Sequence, residues 1–169
     1  HTGVINIGIS GNTSEPATGG FLVGSGTGSA SYTSVLIQPT GGAARTISGA
    51  ANAAIALIEL RGADNVTFDG LNTGGNSLTI SNTTVSATSG TCTIRFVDDA
   101  QSNTLIRCSI LGSSTMSLTT NGGNIFFSTA LSTSLFGNDN NLISNCKIGP
   151  AGTNLPTKGI YSNGTTTNV

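Results

Sequence analysis

"NTLIRCSI" occupies Asn103–Ile110 and "NLISNCKI" occupies Asn141–Ile148, nearly the same word written twice at a distance of 38 positions. Aligned, the two words place Leu105 over Ile143, Cys108 over Cys146 and Ile110 over Ile148. A third copy lies upstream in "NVTFDGL", where Phe68 precedes Leu105 by 37 residues and Leu71 precedes Cys108 by 37. A second series follows the first along the chain: "IEL" (Ile58, Leu60), "IRF" (Ile94, Phe96), "IFF" (Ile125, Phe127) and "IYS" (Ile160, Ser162), in steps of 36, 31 and 35. Between the two series sit "SLTIS" (Ser77–Ser81) and "MSL" (Met116–Leu118). Each period therefore holds about three short strands.

The spacing inside the word carries a corner. Residues on one face of a strand recur every second position, yet Leu105 and Cys108 are three apart, as are Ile143 and Cys146, and Phe68 and Leu71. The chain must bend between them, at Gly70, Arg107 and Asn145. Gly and Asn accept a left-handed backbone at low cost, and Arg107 is the exception. Short strands separated by corners and repeating at 31–38 residues describe an all-β parallel β-helix, a solenoid in which each coil buries its apolar face on the next. Phe68, Leu105 and Ile143 then stack inside, as do Leu60, Phe96 and Phe127. Outside, Glu59 sits over Arg95 as an exposed ion pair worth ~0–1 kcal/mol, and Phe126 sits over Tyr161.

An earlier coil reads as "SVLIQP" (Ser34–Pro39), "RTISG" (Arg45–Gly49) and "ALIEL" (Ala56–Leu60). Before it, Ile5, Ile7 and Ile9 alternate as in a half-buried strand. Residues 1–33 are assigned to an N-terminal cap or lead-in coil and 34–169 to the coils proper. The closing "GTTTNV" resembles the "GADNV" that opens the Phe68 strand, so continuation past Val169 is expected.

Composition agrees and excludes several functions. Of 169 residues 36% are hydrophobic and only 8% charged, net charge is −1, and there are 24 glycines and no tryptophan. That is a β- and turn-rich makeup without the Ala/Leu/Glu/Lys content of long helices. No basic face exists to neutralise phosphates, so nucleic acid and anionic membranes are excluded as partners, and no apolar run approaches the ~18 residues of a membrane-spanning helix. The start at His1, without Met or a leader, fits a mature secreted product or a piece of a longer chain. Few lysines and much Ser, Thr and Asn fit an extracellular surface.

"GADNVTFDGLNT", "TIRFVDD", "SNTLIRCSI" and "NDNNLISNCKI" resemble the right-handed parallel β-helix repeats of the pectin-lyase-like superfamily, and more narrowly those in very large surface proteins exported by the type IX secretion pathway. The resemblance covers nearly the whole chain from about Ile5. It implies a stalk or shaft segment of an extracellular fibre or adhesin, whose partners are other parts of the same chain, identical chains, or cell-surface glycans. It supplies no catalytic residues.

Candidate chemistry is sparse, and no catalytic, cofactor-binding or metal-ligating residue is assigned. The five Asp and two Glu form no evident pair at the ~5–9.5 Å that glycoside hydrolysis needs; Asp69 shares its outward column with Ile106 and Ser144. A Ca²⁺ site from Asp98, Asp99 and Asp139, the last following an insertion at Ala130–Phe136, is weighed against solvated turn residues, and the turn reading is preferred. His1 is the only histidine, which argues against a Ser/His/Asp triad. Cys92, Cys108 and Cys146 are odd in number and lack CxxC spacing. Cys108 and Cys146 on adjacent coils invite a disulfide, but reduced core thiols are preferred. "GSGTGSAS" (Gly24–Ser31) lacks the lysine of a phosphate loop and reads as a turn. Asn-x-Ser/Thr sites stand at Asn12, Asn65, Asn82 and Asn163. Three functions are compared: a structural or adhesive rod, a carbohydrate-active enzyme or glycan-binding module, and an ice- or surface-binding solenoid. The last needs outward threonine ranks, and Thr67, Thr79, Thr93 and Thr104 look scattered over different strands.

Overall fold

A computed structural model describes residues 3–26, 31–129 and 136–163. His1, Thr27–Ala30 of the glycine-rich turn, most of the Ala130–Phe136 insertion and the closing residues through Val169 lie outside the described residues. The described residues wind through five passes of three strands. The first is β1 (Val4–Ile9), β2 (Thr13–Glu15) and β3 (Gly20–Val23). The second is β4 (Ser34–Pro39), β5 (Ala44–Gly49) and β6 (Ala56–Arg61). The third is β7 (Val66–Asp69), β8 (Ser77–Asn82) and β9 (Cys92–Val97). The fourth is β10 (Thr104–Ile106), β11 (Ser109–Gly112) and β12 (Gly123–Phe127), and the fifth is β13 (Leu142–Ser144), β14 (Lys147–Pro150) and β15 (Ile160–Ser162).

First, second and third strands of successive passes pair parallel, giving three five-stranded sheets: β1-β4-β7-β10-β13, β2-β5-β8-β11-β14 and β3-β6-β9-β12-β15. This is a parallel β-solenoid of about four turns. Register offsets run from 30 residues (Val4 over Ser34) to 38 (Leu105 over Ile143). Residues 4–23 therefore supply a complete three-strand coil, paired to the next on all three sheets. Among the described residues no helix is long and apolar enough to cross a membrane.

Because stacking is in register, equal positions form columns. Ile7, Ile37, Phe68, Leu105 and Ile143 line the first sheet's inner face. Ile47, Ile80, Ile110 and Ile148 line the second. Leu60, Phe96 and Phe127 line the third, where the Phe96 and Phe127 rings stack with centroids 4.6 Å apart. The central members are fully buried, and each such side chain contributes roughly 1.5–3 kcal/mol of burial.

The corner inside the repeated word is present, and it separates two strands: β10 ends at Ile106, β11 begins at Ser109, and Arg107 takes φ +57°. Asn145 does the same at φ +52° between β13 and β14. The third copy departs from the expectation. Nine residues separate Asp69 from Thr79 in the third pass, whereas two separate their partners Ile106 and Ser109. The surplus of seven forms a loop in which Leu71 and Asn72, not Gly70, are left-handed. Leu71 accordingly leaves the core that the alignment had given it. Gly70 is required for a different reason: a Cβ there would lie 2.7 Å from the carbonyl carbon of Arg107 and closer still to its oxygen. The "MSL" segment is likewise not a strand. The partner of Ser77–Asn82 is β11, inside the repeated word, while Met116 is a buried plug against which Gly122 packs.

Candidate functional site

Two polar features organise the sparsely charged chain: an internal asparagine ladder and a charged and aromatic column on the outer face of the third sheet. The ladder starts from the first letter of the repeated word. After β9 and β12 the chain turns through left-handed Ser102 (φ +55°) and Asn140 (φ +57°), which brings Asn103 and Asn141 inward. Asn103 is fully buried; its Oδ1 accepts the Val66 N–H at 2.9 Å and its Nδ2 donates to the Ala63 carbonyl at 2.8 Å. Its own N–H donates to Asn141 Oδ1 at 2.9 Å, and Asn141 Nδ2 donates to Ala100 O and Asn138 O. Asn82 at the end of β8 and Asn124 within β12 also donate to main-chain carbonyls, of Cys92 (2.8 Å) and of Gly149 (2.6 Å). Buried backbone groups at a corner have no ladder partner of their own, so a side-chain amide must supply one. These residues were missed in the sequence; the shared initial Asn of both words was their one visible signal. Asn82, one of the glycosylation motifs, is buried and committed to this bond.

The outer column of the third sheet reads Phe21, Glu59, Arg95, Phe126, Tyr161 in register. Glu59 bridges two guanidinium groups: Oε1 accepts from Arg61 Nη2 at 2.5 Å, and Oε2 pairs with Arg95 Nη2. The expected exposed pair is in fact covered. Glu59 is 5% exposed and Phe126, two coils along the same column, 2%, because outward parity sets the direction of a side chain and not what packs over it. Phe126 packs on Ala56, Cys92 and Tyr161, its ring centroid 5.9 Å from that of Tyr161. At the two ends the column is accessible: Phe21 is 62% exposed under the Arg61 guanidinium (5.1 Å), and Lys158 Nζ stands 3.9 Å from the Tyr161 ring centre. Partial desolvation lowers the Lys158 pKa.

The other carboxylates are dispersed. Asp69 takes a two-point grip from Arg107 of the next coil, Oδ1 to Nε at 2.9 Å and Oδ2 to Nη2 at 2.5 Å. Burial pushes its pKa upward, but the Arg107 hydrogen bond, the Leu71 N–H and the Arg107 charge outweigh it and hold the carboxyl below its usual range. This pair also accounts for an arginine at a left-handed corner. Asp98 and Asp99 both have left-handed backbones, and Asp99 Oδ1 accepts the N–H groups of Gly137 (2.6 Å) and Phe136 (3.3 Å). Asp139 accepts the Ser102 N–H through its main-chain oxygen. Among the described residues no three of His, Cys, Asp and Glu come together, so Asp98, Asp99 and Asp139 do not converge.

Cys92, Cys108 and Cys146 are free thiols. Cys108 Sγ points to the carbonyls of Phe68 and Ile106, and Cys146 Sγ to those of Leu105 and Ser144. Each thus leans toward the preceding coil. Burial pushes the Cys92 and Cys108 thiols up to about 12, with Cys146 and Asp69 adding to the effect at Cys108. The threonines are less scattered than the sequence indicated: Thr67 and Thr104 share an outward column on the first sheet. That column continues into Leu36 and Leu142, however, and Thr93 Oγ1 donates to Leu111 O at 2.7 Å. No protein-family model, curated protein or solved structure matches the chain.

Proposed function

We propose that the chain is a shaft segment of a large extracellular surface fibre or adhesin, of the pectin-lyase-like β-helix type found in proteins exported by the type IX pathway, and that it acts by length and stiffness without catalysis. The observation that carries this reading is where the few charges go. Glu59 with Arg95 and Asp69 with Arg107 are each spent tying one coil to the next, across 36 and 38 residues. Both oxygens of Glu59 are already held by guanidinium groups, and among the described residues no three His, Cys, Asp or Glu side chains come together. What remains is a column that lengthens by about 4.8 Å per coil. Its partners on this reading are other parts of the same chain, identical chains, or surface glycans.

A glycan-binding module is the second reading, favoured by the exposed Phe21 ring with Arg61 above it. One experiment separates the readings. The chain is incubated with pectin and related polyuronates while new reducing ends and bound sugar are measured. The shaft reading expects neither; turnover above the buffer rate ends it, and binding abolished by Phe21→Ala transfers the assignment to the second reading.

A further inference from the structure

Two of the three thiols stand in the same place on consecutive coils. Cys108 Sγ lies 3.3 Å from the carbonyl oxygen of Ile106 on its own coil and 3.5 Å from that of Phe68 on the coil before. Cys146 Sγ lies 3.5 Å from the Ser144 oxygen on its own coil and 3.3 Å from that of Leu105 on the coil before. The register pairs Phe68 with Leu105 and Ile106 with Ser144, so the two sulfurs have equivalent neighbours one coil apart. A side chain repeated in one conformation along a parallel sheet is displaced by the strand spacing, which sets the sulfurs about 4.8 Å apart. A direct bond between them would take one sulfur out of its place in the core. A single metal ion fits the spacing as it stands: a metal–thiolate bond is about 2.3 Å long, so an ion held in line by two thiolates spans about 4.6 Å.

The surroundings limit the ion to two ligands. The third pass contributes Leu78 to this column, one step before Thr79, the partner of Ser109. Cys108 belongs to the main apolar core and Cys146 packs against it, and among the described residues no three of His, Cys, Asp and Glu come together. Tetrahedral zinc needs two further strong ligands and a hard cation six or more oxygens. A soft d10 cation is satisfied by two thiolates. We propose that Cys108 and Cys146 form a two-sulfur site for one soft d10 cation of the Cu(I) or Hg(II) kind, held in line between the fourth and fifth coils. The ion replaces both S–H protons, which pass to solvent, and no electron moves. Cu(I) leaves the filled site with one negative charge; Hg(II) leaves it neutral. The bound ion ties two coils together across 38 residues. Both sulfurs lie between described coils, so their spacing is independent of any chain before or after them, and the site stands apart from the shaft reading.

The test uses the Cys92→Ala chain, in which these are the only two thiols. Without oxygen it is expected to take up one Cu(I) per chain in competition with a Cu(I) chelator. X-ray absorption of that sample, and of one loaded with a single equivalent of Hg(II), is expected to show two sulfur neighbours and no other atom at bonding distance. Adding Cys108→Val or Cys146→Val is expected to leave the circular dichroism unchanged, since Leu78 shows that the column accepts an aliphatic side chain. Either change is expected to weaken Cu(I) binding roughly 100-fold or more, because a lone thiolate loses the gain of two ligands fixed together. Cys146→Ser, closer in size, is expected to lose as much and serves where a valine variant does not fold. Absence of uptake overturns the proposal, as does unchanged affinity in a folded variant lacking one thiol. An ion with a single sulfur neighbour, or with oxygen or nitrogen in its shell, overturns it too.

Discussion

Removing the amide of Asn103 isolates what the internal ladder is worth. In Asn103→Ala the Val66 N–H and the Ala63 carbonyl each lose their partner in a fully buried position. An orphaned buried backbone group costs ~1–3 kcal/mol, so the two together cost about 2–6 kcal/mol before any void is counted. Against the ~5–15 kcal/mol that holds a typical domain together, that is a large share. Asn103→Val sharpens the measurement, because Val66 and Val35 occupy the same column one and two coils earlier. Valine fills the space, leaves both groups orphaned, and is expected to cost nearly as much as alanine. In the earlier coil the Val35 N–H is satisfied by the main-chain oxygen of Asn65, which shows that the amide is needed where the corner is built differently. The assay is urea unfolding followed by circular dichroism. The transition midpoint should fall with an unchanged slope, and Asn141→Ala, half-buried on the last coil, should lose less. If Asn103→Val unfolds within about 0.5 kcal/mol of the parent, the ladder is packing and not hydrogen bonding, and the corner argument fails.

Other perturbations follow from the same contacts. Gly70→Ala drives a methyl into the Arg107 carbonyl and is expected to cost at least ~2 kcal/mol despite alanine's better backbone entropy, seen as a lower thermal midpoint. Glu59→Gln removes the charge between Arg61 and Arg95 and leaves the largely buried Arg95 uncompensated, with an expected loss of about 3 kcal/mol in denaturant unfolding. Phe96→Asp places an unpaired carboxyl in the stacked core, and retention of the parent melting curve would disprove the inside assignment of this column. Alkaline pH should destabilise the fold: Cys92 and Cys108 stay protonated to about 12 when folded, while an unfolded thiol titrates near ~8.5. Their contribution is complete below that unfolded value and is lost as pH rises between the two, by roughly 1.4 kcal/mol per pH unit and thiol. At acid pH, Asp69 acts in the opposite sense, since its depressed folded pKa gives stability that is present above ~4 and lost as pH falls further. Arg107→Gln should flatten that acid limb of the stability profile.

The columns of this fold were legible because a solenoid turns spatial neighbours into residues a fixed distance apart in the chain. Leu105 and Ile143 could be placed face to face from the 38-residue step alone, and the structure pairs them. The corners were legible only while their lengths stayed equal. Seven extra residues between Asp69 and Thr79 left the Phe68 column intact but moved Leu71 out of the core, so an alignment correct on one sheet was wrong on the next. Parity failed in a second way at Glu59, which points outward as predicted and is nonetheless buried. Spacing along a coil specifies which residues share a face; the cover at Glu59 comes from the long side chains of Arg61 on its own strand and Arg95 on the next coil. The asparagines were obscured for a related reason, because at the level of sequence a buried amide that satisfies a corner cannot be told from a polar residue in a solvated turn. Candidate chemistry on a solenoid is therefore better judged by how its polar atoms are already occupied than by the face they point from. Here that criterion separates Glu59, whose two oxygens are held by arginines, from Phe21, whose ring is largely exposed.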